Sequence, residues 1–160
     1  MFRPMRRFKQ ALTKDECERI LVGGTHGVLS VITEEGYPYG VPMSYAYKDG
    51  KLFFHCAREG QKLDAIKTDD RVCFTVVARD DIAPQKLTTE FESVIAFGRA
   101  KVLEEFDDML AEHIFFSNKY SSEFQQEINA EIAKGLKNMV MIEVDIEHMT
   151  GKQAIELVGR

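Results

Sequence analysis

Residues 53–67, FFHCAREGQKLDAIK, join an apolar run directly to a short charged segment. Gln61 and Lys62 follow Gly60, at a point where the pattern predicts that a short helix begins. The start of a helix offers unpaired N–H groups and partial positive charge, and these two side chains add further donors. The segment therefore suits a phosphate group. A solvated, charge-rich turn explains the same residues equally well, and the residues themselves leave both interpretations open.

A second candidate segment, Val41 to Tyr45, lies in a strand-like stretch that also contains Pro38 and Pro42. Proline donates no hydrogen bond to a β-ladder, so this strand is predicted to lie at an edge or a bulge. Some backbone groups of its neighbours would then stay free to meet a ligand. A twisted edge strand without any ligand is the plainer explanation of this segment when it is taken alone.

A third feature is Ser93, a lone hydroxyl within the β-rich residues 90–103. It could face a buried polar group, although a satisfied core serine explains it more simply. The four histidines and three cysteines show neither ligand spacing nor a CxxC pair, so no metal site is predicted. His113 falls on the apolar face of a helical pattern, where a packed histidine is expected rather than a metal ligand.

The elements that would position these residues are mostly strands joined by hairpins. Thr13 and Glu16 form a capping box before a short helix, Asp49-Gly50 predicts a two-residue hairpin, and Gly98 predicts a bulge or close approach. Helices do not alternate regularly with strands, which argues against a doubly wound parallel sheet. We predict a mainly β fold, a small antiparallel barrel with peripheral helices, from six strands: residues 26–33, 37–48, 51–57, 71–79, 90–103 and 139–148.

Length and charge narrow the possible functions. The chain has 160 residues, which fits a single domain over residues 1–160, and its net charge of -5 argues against a general nucleic-acid-binding protein. No apolar run approaches membrane-spanning length, and the first residues lack the apolar region of a signal peptide. We therefore predict a cytoplasmic protein with neither a membrane nor a nucleic acid as partner.

A barrel with a proline-bearing edge strand and a phosphate corner suits a cofactor that is planar at one end and phosphorylated at the other. FMN answers that description. Composition and spacing alone do not select FMN over other phosphorylated ligands.

Several blocks of the sequence are more specific, because they match a known family in their order and spacing. These blocks are MFRPMRRFKQ, YPYGVPMSYAY, KLFFHCAREGQKLDAIK, ESVIAFGRA and IEHMTGKQAIEL. They resemble the Nim-type (nitroimidazole-resistance-like) branch of the pyridoxamine 5′-phosphate oxidase-related flavoproteins, nearly from end to end. The resemblance implies the FMN-binding split β-barrel, a six-stranded antiparallel barrel. It also implies a homodimer with two flavin sites at the subunit interface.

The resemblance also implies which residues contact FMN. The edge of the isoalloxazine ring would be lined, largely by backbone groups, by Pro42, Met43, Ser44 and Tyr45. The ring and ribityl chain would be followed by His55, Cys56 and Ala57. The phosphate would be held by Gln61 and Lys62, with the hydroxyl of Ser93 nearby. His55 is in addition the family's candidate catalytic histidine, and a structural histidine at a strand end is the alternative.

The function implied is that of an FMN-dependent oxidoreductase, in which reduced FMN passes hydride or electrons to a small acceptor such as a nitroaromatic. An alternative is a flavin- or haem-binding module of the same fold that does not turn over. A ligand-free structural dimer is a third possibility, which the proline-bearing strand and the phosphate corner make less attractive. The sequence contains no recognisable site for a pyridoxal phosphate substrate, so pyridoxamine phosphate oxidase activity itself is not predicted.

Overall fold

The computed structural model describes residues 2–159, so the two terminal residues of the predicted domain, Met1 and Arg160, lie outside the described part. The described part contains eight strands and four α-helices. In chain order they are β1 (Ala11–Leu12), α1 (Lys14–Gly23), β2 (His26–Ile32), β3 (Pro38–Ser44), β4 (Ala46–Lys48), β5 (Lys51–Ala57), α2 (Gln61–Thr68), β6 (Arg71–Ala83), β7 (Thr88–Leu103), α3 (Phe106–Ser121), α4 (Gln125–Ala133) and β8 (Met139–Gln153). None of these helices is long and apolar enough to cross a membrane.

All eight strands belong to one antiparallel sheet, which confirms the predicted mainly β fold with peripheral helices. Seven strands follow the order β3-β2-β6-β7-β8-β5-β4, and β1 pairs with β8 beside this path. The sheet is not closed by a ladder. Its two end strands, β3 and β4, are consecutive in the chain and are separated only by Tyr45. The sheet therefore curls into a barrel that is split at that residue.

The strand count differs from the predicted six because the stretch 37–48 changes partner. Its first part, β3, pairs with β2, while its second part, β4, pairs with β5. A run of β-forming residues in the sequence looks the same whether it keeps one partner or exchanges it. The two-residue strand β1 is too short to give a periodic signal.

Three local predictions are confirmed and explain how the strands turn. Thr13 and Glu16 form the capping box of α1. Asp49 and Gly50 both adopt positive φ angles, 51° and 79°, as a tight hairpin between β4 and β5 requires. The β7–β8 register shifts between Phe97 and Gly98, where a Cβ atom would collide with the Asp145 carbonyl.

Two apolar cores hold the sheet together. The main core lies inside the curled sheet and includes Leu21 of α1, Leu63 of α2 and Phe74 of β6. A smaller core lies on the outer face of β4, β5 and β8, where Phe53 and Met141 pack under the helices that follow β7. Helix α3 thus covers the outer face of β4–β5, whereas α1 and α2 contact β2, β6 and β7 from the side of the main core.

Candidate functional site

The two predicted segments meet at the split in the barrel. β3 pairs with β2 along its whole length, which places it at the sheet edge as its two prolines predict. β5 pairs with β4 only as far as Phe53, although β8 holds its other edge through Ala57. If the β4–β5 ladder continued in the same register beyond Ala46 and Phe53, Ser44 would pair with His55. The described ladders contain no such pair, so the strands have separated at this point. Backbone groups on these facing edges are therefore available to a ligand.

Tyr45 marks the point at which the strands separate. Its side chain is fully buried and packs edge-on against Phe74, with ring centroids 4.8 Å apart. Burial raises the pKa of its hydroxyl, which has no hydrogen-bond partner among the described residues. The Tyr120 hydroxyl, from the last turn of α3, accepts from the Tyr45 N–H at 3.1 Å and lies 2.5 Å from the Tyr45 carbonyl. One helix end thus fixes the crossing from β3 to β4.

His55 lies on the outer face of β5, beside the split. Its ring is open to solvent on one side and packs against Phe116 of α3 on the other, with ring centroids 4.6 Å apart. This partial burial lowers the pKa of His55 below its ordinary value. The neutral imidazole is therefore favoured at neutral pH, and one ring nitrogen can donate while the other accepts.

The three predicted residues at the end of β5 do not share one face. Side chains alternate along a strand, so His55 and exposed Ala57 face outward while Cys56 turns toward the main core. Burial raises the pKa of the Cys56 thiol, although nearby Lys62 works in the opposite direction. A ligand on the outer face can thus meet His55 and Ala57 through side chains, but Cys56 only through its backbone.

Four residues beyond the end of β5, the chain forms a corner at the start of α2. Gly60 precedes this helix with φ 146°, a backbone conformation that favours glycine, and no side chain of the described residues caps the helix. The Gly60 carbonyl accepts from the N–H groups of Leu63 and Asp64, so the N–H groups of Gln61 and Lys62 are left for another acceptor. These two residues combine backbone donors with polar side chains at one place.

The positive charges near this corner have different partners. Arg58 donates to the backbone carbonyls of Lys137 and Met139, and Lys67 lies 3.5 Å from the Glu104 carboxylate. Lys62, in contrast, forms no ion pair within residues 2–159. Of this basic cluster, Lys62 is the cation that remains available to an anion.

Ser93 lies elsewhere, on the outer face of the sheet, where it lines a cavity of about 300 Å³ together with Phe2 and Met5. One row of cross-strand partners runs from β3 to β8 on this face: Pro42, Val28, Thr75, Ile95 and Thr150. Ser93 is two residues from Ile95 on the same face and is three strands from β3, about 14 Å at ~4.8 Å per strand. Its partner on β8 is Lys152, thirteen residues along that strand from Met139, the partner of Ala57. Ser93 is therefore separated from Lys62 along the sheet.

The sequence did not point to the end of α3. Tyr120 binds the strand crossing, and Lys119 donates to the Gly24 carbonyl at 2.5 Å while its ammonium lies 4.6 Å over the Tyr45 ring. Burial lowers the pKa of Lys119. The spacing of Phe116 and Tyr120 predicts a shared helix face. It gives no information on which strand that face covers.

A cavity of about 860 Å³ opens between α1 and the β4–β5 hairpin. It lies at the start of β5, whereas the split lies at the end of that strand, and none of the predicted site residues lines it. The carboxylate of Glu18 on its wall is engaged by the Tyr47 hydroxyl at 3.1 Å and by Lys14 at 3.6 Å. We therefore take the split and the α2 corner, rather than this cavity, as the candidate site.

Comparison with known proteins gives a family and a fold. The sequence profile of the pyridoxamine 5′-phosphate oxidase family matches residues 13–153, which span the elements from the α1 capping box to the end of β8. A sequence comparison with curated proteins gives no match.

Solved structures of similar fold cover most of the chain. A candidate 5-nitroimidazole antibiotic resistance protein from Bacteroides thetaiotaomicron superposes with a TM-score of 0.72 at 21% identity, over 89% of this chain and 86% of that one. An FAD-binding protein from Mesorhizobium loti gives 0.65 at 22% identity, over 89% and 94%. An FAD and haem binding protein from Mycobacterium smegmatis gives 0.78 at 14% identity, over 91% and 74%. At these identities the likeness establishes the shared fold.

Proposed function

Since the chain belongs to the pyridoxamine 5′-phosphate oxidase family, we propose that it is an FMN-binding flavoprotein that passes electrons to a small acceptor such as a nitroaromatic. One observation carries this proposal. The open strand edges of the split and the uncapped start of α2 lie at the two ends of one short segment, from His55 to Lys62. A planar ring and a phosphate are the two chemical groups that this arrangement fits.

The donor set at the corner favours a phosphate monoester. Within residues 2–159, Lys62 is a cation without a carboxylate partner, and the N–H groups of Gln61 and Lys62 add backbone donors beside it. FMN ends in such a monoester, whereas FAD continues through a second phosphate to adenosine. The structural neighbours described as FAD-binding support a flavin in this fold. We choose FMN because of the donor groups at the start of α2.

At the split, this chain's own groups would orient the ring. Backbone groups of Pro42 to Ser44 would line one side of the ring, since those of Tyr45 are engaged by Tyr120, and His55 with Ala57 would line the other. A bound flavin would supply the two-electron chemistry. His55 would hold or give up a proton at an imidazole nitrogen beside the acceptor, since its pKa lies below the ordinary value and the neutral ring can both donate and accept.

A second copy of the chain is the partner we propose, with the flavin sites at the interface. Ser93 is separated from Lys62 within one chain, so both can serve one flavin only if the cofactor spans the outer face or a partner supplies one of them. The outer face of β2, β6 and β7 carries exposed β-branched residues, among them Val77, Val28 and Ile95. Such a patch is typical of an interface. We place the protein in the cytoplasm, which suits its three unpaired cysteines.

The visible spectrum of the purified protein tests flavin binding directly. Absorption bands of a flavin are expected, and chromatography of the released cofactor should identify it as FMN. A colourless protein that takes up no added FMN would contradict the proposal. Turnover is tested by reducing the bound flavin without oxygen and adding a 5-nitroimidazole. His55→Ala should retain its flavin but be reoxidised more slowly, and an unaltered rate would return His55 to a structural role.

A second candidate function is a flavin- or haem-binding module without turnover. It is supported by the neighbour described as an FAD and haem binding protein, which superposes with a TM-score of 0.78. A Soret band in the same spectrum would favour haem. A bound flavin that nitro compounds do not reoxidise faster than buffer would favour a flavin-binding module.

A further inference from the structure

The cavity that Ser93 lines on the outer face lies beneath the N-terminal arm, residues 2–5, which supplies part of its wall. The Phe2 ring stacks on the His148 ring of β8, with centroids 4.6 Å apart and 8° between the two planes. It also lies 5.4 Å from the Phe97 ring of β7. Aromatic contacts therefore hold the arm against the sheet at this cavity.

Two cations line the cavity, Arg3 from the arm and Lys152 from β8. Neither forms an ion pair within residues 2–159, and the described residues around the cavity include no carboxylate. Lys152 is the cross-strand partner of Ser93, so its side chain lies beside that hydroxyl. Its ammonium lies 5.2 Å over the Phe91 ring. The cavity thus combines uncompensated positive charge, a hydroxyl and apolar walls.

The corner at the start of α2 offers donors but no enclosure. Gln61 and Lys62 supply N–H groups and a cation, while Gly60 and Gln61 are exposed, so a phosphate there stays open to solvent on one side. Small-molecule sites usually bury most of their ligand. The cavity cannot cover the corner of its own chain, because Ser93 and Lys62 are separated along the sheet. Two copies of the chain can bring the two surfaces together.

We propose that the outer-face cavity of one copy covers the phosphate of the flavin held at the α2 corner of the other. Arg3 and Lys152 of the second copy then complete the phosphate site, an assignment that rests on the proposed function. A phosphate monoester carries a charge of about −1.5 to −2 at pH 7, more than Lys62 alone neutralises. In an isologous dimer the same contact forms twice, so both flavin sites are completed together.

Flavin binding and dimerisation are linked in this arrangement. Without the phosphate, Lys62 of one copy faces Arg3 and Lys152 of the other, and like charges across an interface oppose association. With the phosphate between them, the same cations hold the two copies together. Linkage is reciprocal, so FMN strengthens the dimer by the factor by which dimerisation strengthens the binding of FMN.

Sedimentation velocity over a range of protein concentrations tests this linkage. Flavin-free protein should dissociate at concentrations at which FMN-loaded protein remains dimeric. Riboflavin has the same ring but no phosphate, so it should strengthen the dimer less than FMN does. The same dimer affinity in flavin-free and FMN-loaded protein would overturn the proposal. A wild type that binds no FMN would refute the proposed function as well, and the two failures are therefore distinguishable.

Single substitutions test the assignment of Lys152. Lys152→Met retains an unbranched side chain over Phe91 but removes the charge, so it should weaken the binding of FMN roughly tenfold to a hundredfold. Lys101→Met is the matched control, because Lys101 is an exposed lysine of β7 that does not line the cavity. Wild-type affinity in Lys152→Met would overturn the assignment.

A mixed dimer shows whether the site is shared between copies. One Lys62→Ala copy and one Lys152→Met copy, carrying different purification tags, are combined and isolated as the mixed species. A shared site places the intact corner of the second copy against the intact cavity of the first, so half of the sites should recover wild-type affinity for FMN. A mixed dimer in which no site recovers would mean that Lys62 and Lys152 do not act across the interface, and would overturn the proposal.

Discussion

The hydroxyl of Tyr120 lies within hydrogen-bond distance of both the N–H and the C=O group of Tyr45. Tyr45 lies between β3, which pairs with β2, and β4, which pairs with β5. The Tyr120 hydroxyl also lies 2.7 Å from the Thr25 carbonyl, which precedes β2. Such a split leaves backbone groups without ladder partners, and a helix from the far end of the chain satisfies them here. The open strand edges beside His55 can therefore persist without the barrel closing over them.

Tyr120→Phe should destabilise the protein. The change removes the hydroxyl and leaves the Tyr45 N–H without that acceptor, while 37% exposure of Tyr120 lets water replace part of the loss. We expect a loss of about 1–2 kcal/mol in the free energy of unfolding, measured by urea denaturation. Tyr37→Phe is the matched control, because Tyr37 is 73% exposed. Equal stabilities of the two variants would contradict the role of the Tyr120 hydroxyl.

Adjacent glycines at the end of α1 should respond to alanine in opposite ways. A Cβ atom on Gly24 would collide with the Tyr45 hydroxyl, whereas one on Gly23 would meet nothing within 4 Å. Gly24→Ala should cost about 1–3 kcal/mol, the range for overpacking. Gly23→Ala, inside the helix, should stabilise by about 0.5–1 kcal/mol. Thermal unfolding of both variants measures the difference, and a stabilised Gly24→Ala would show that the Tyr45 ring moves freely.

Local chemistry made much of the fold predictable from the sequence. Two prolines required β3 to lie at an edge, because proline has no N–H to donate to a ladder. Asp49-Gly50 and Gly98 indicated a hairpin and a bulge, because glycine tolerates positive φ angles and close approach that other residues do not. The exchange of partners at Tyr45 was not predictable in this way. It depends on which strands meet in space, and no single residue of the stretch 37–48 carries that information.

The candidate site likewise contains residues that local chemistry predicts and residues that depend on tertiary contacts. The corner at Gly60 and Lys62 could be anticipated because a helix start has properties of its own. The contacts of Tyr120 and Phe116 could not, since helical spacing defines a face but not the strand beneath it. That Cys56 faces the core while His55 faces outward follows from strand alternation. The roles of these residues toward a flavin stay predictions.

Lys62→Ala should weaken the binding of FMN. The ammonium of Lys62 has no carboxylate partner in the described part of the chain, so its loss removes a charged donor without disturbing an ion pair. We expect a loss of about 1.5–3 kcal/mol, the range for a hydrogen bond to a charged group, measured by titration with FMN. Lys67→Ala is the matched control, because Lys67 lies in the last turn of the same helix and pairs with Glu104. If both variants retain wild-type affinity, the phosphate is held elsewhere.

Val77→Lys should disrupt the proposed dimer. Val77 is 62% exposed on the outer face, beside Ser93, so a lysine there adds charge where a second copy would pack. A surface substitution changes the stability of a monomer by only about 0.5 kcal/mol or less. Light scattering coupled to size exclusion should therefore give a dimer for the wild type and a monomer for this variant. Val22→Lys, 58% exposed on α1, should remain dimeric; a monomeric wild type would refute the shared site.

Acid should destabilise the protein through His55 and His113. Burial lowers the pKa of both His55 and His113, so the unfolded chain binds more protons than the folded one below their ordinary pKa. Their contribution to stability is present above that value, ~6.5 for an unperturbed histidine, and is lost as the pH falls through the lowered values.

His113→Leu removes one of these two groups, so it should lose less stability than the wild type between about pH 7.5 and about pH 5.5. Urea denaturation at both pH values measures this difference. Met109→Leu, one turn earlier on the same buried face, alters packing without removing a titrating group and should follow the wild type. A His113→Leu variant that loses as much stability as Met109→Leu would mean that His113 is protonated equally in the folded and unfolded chains.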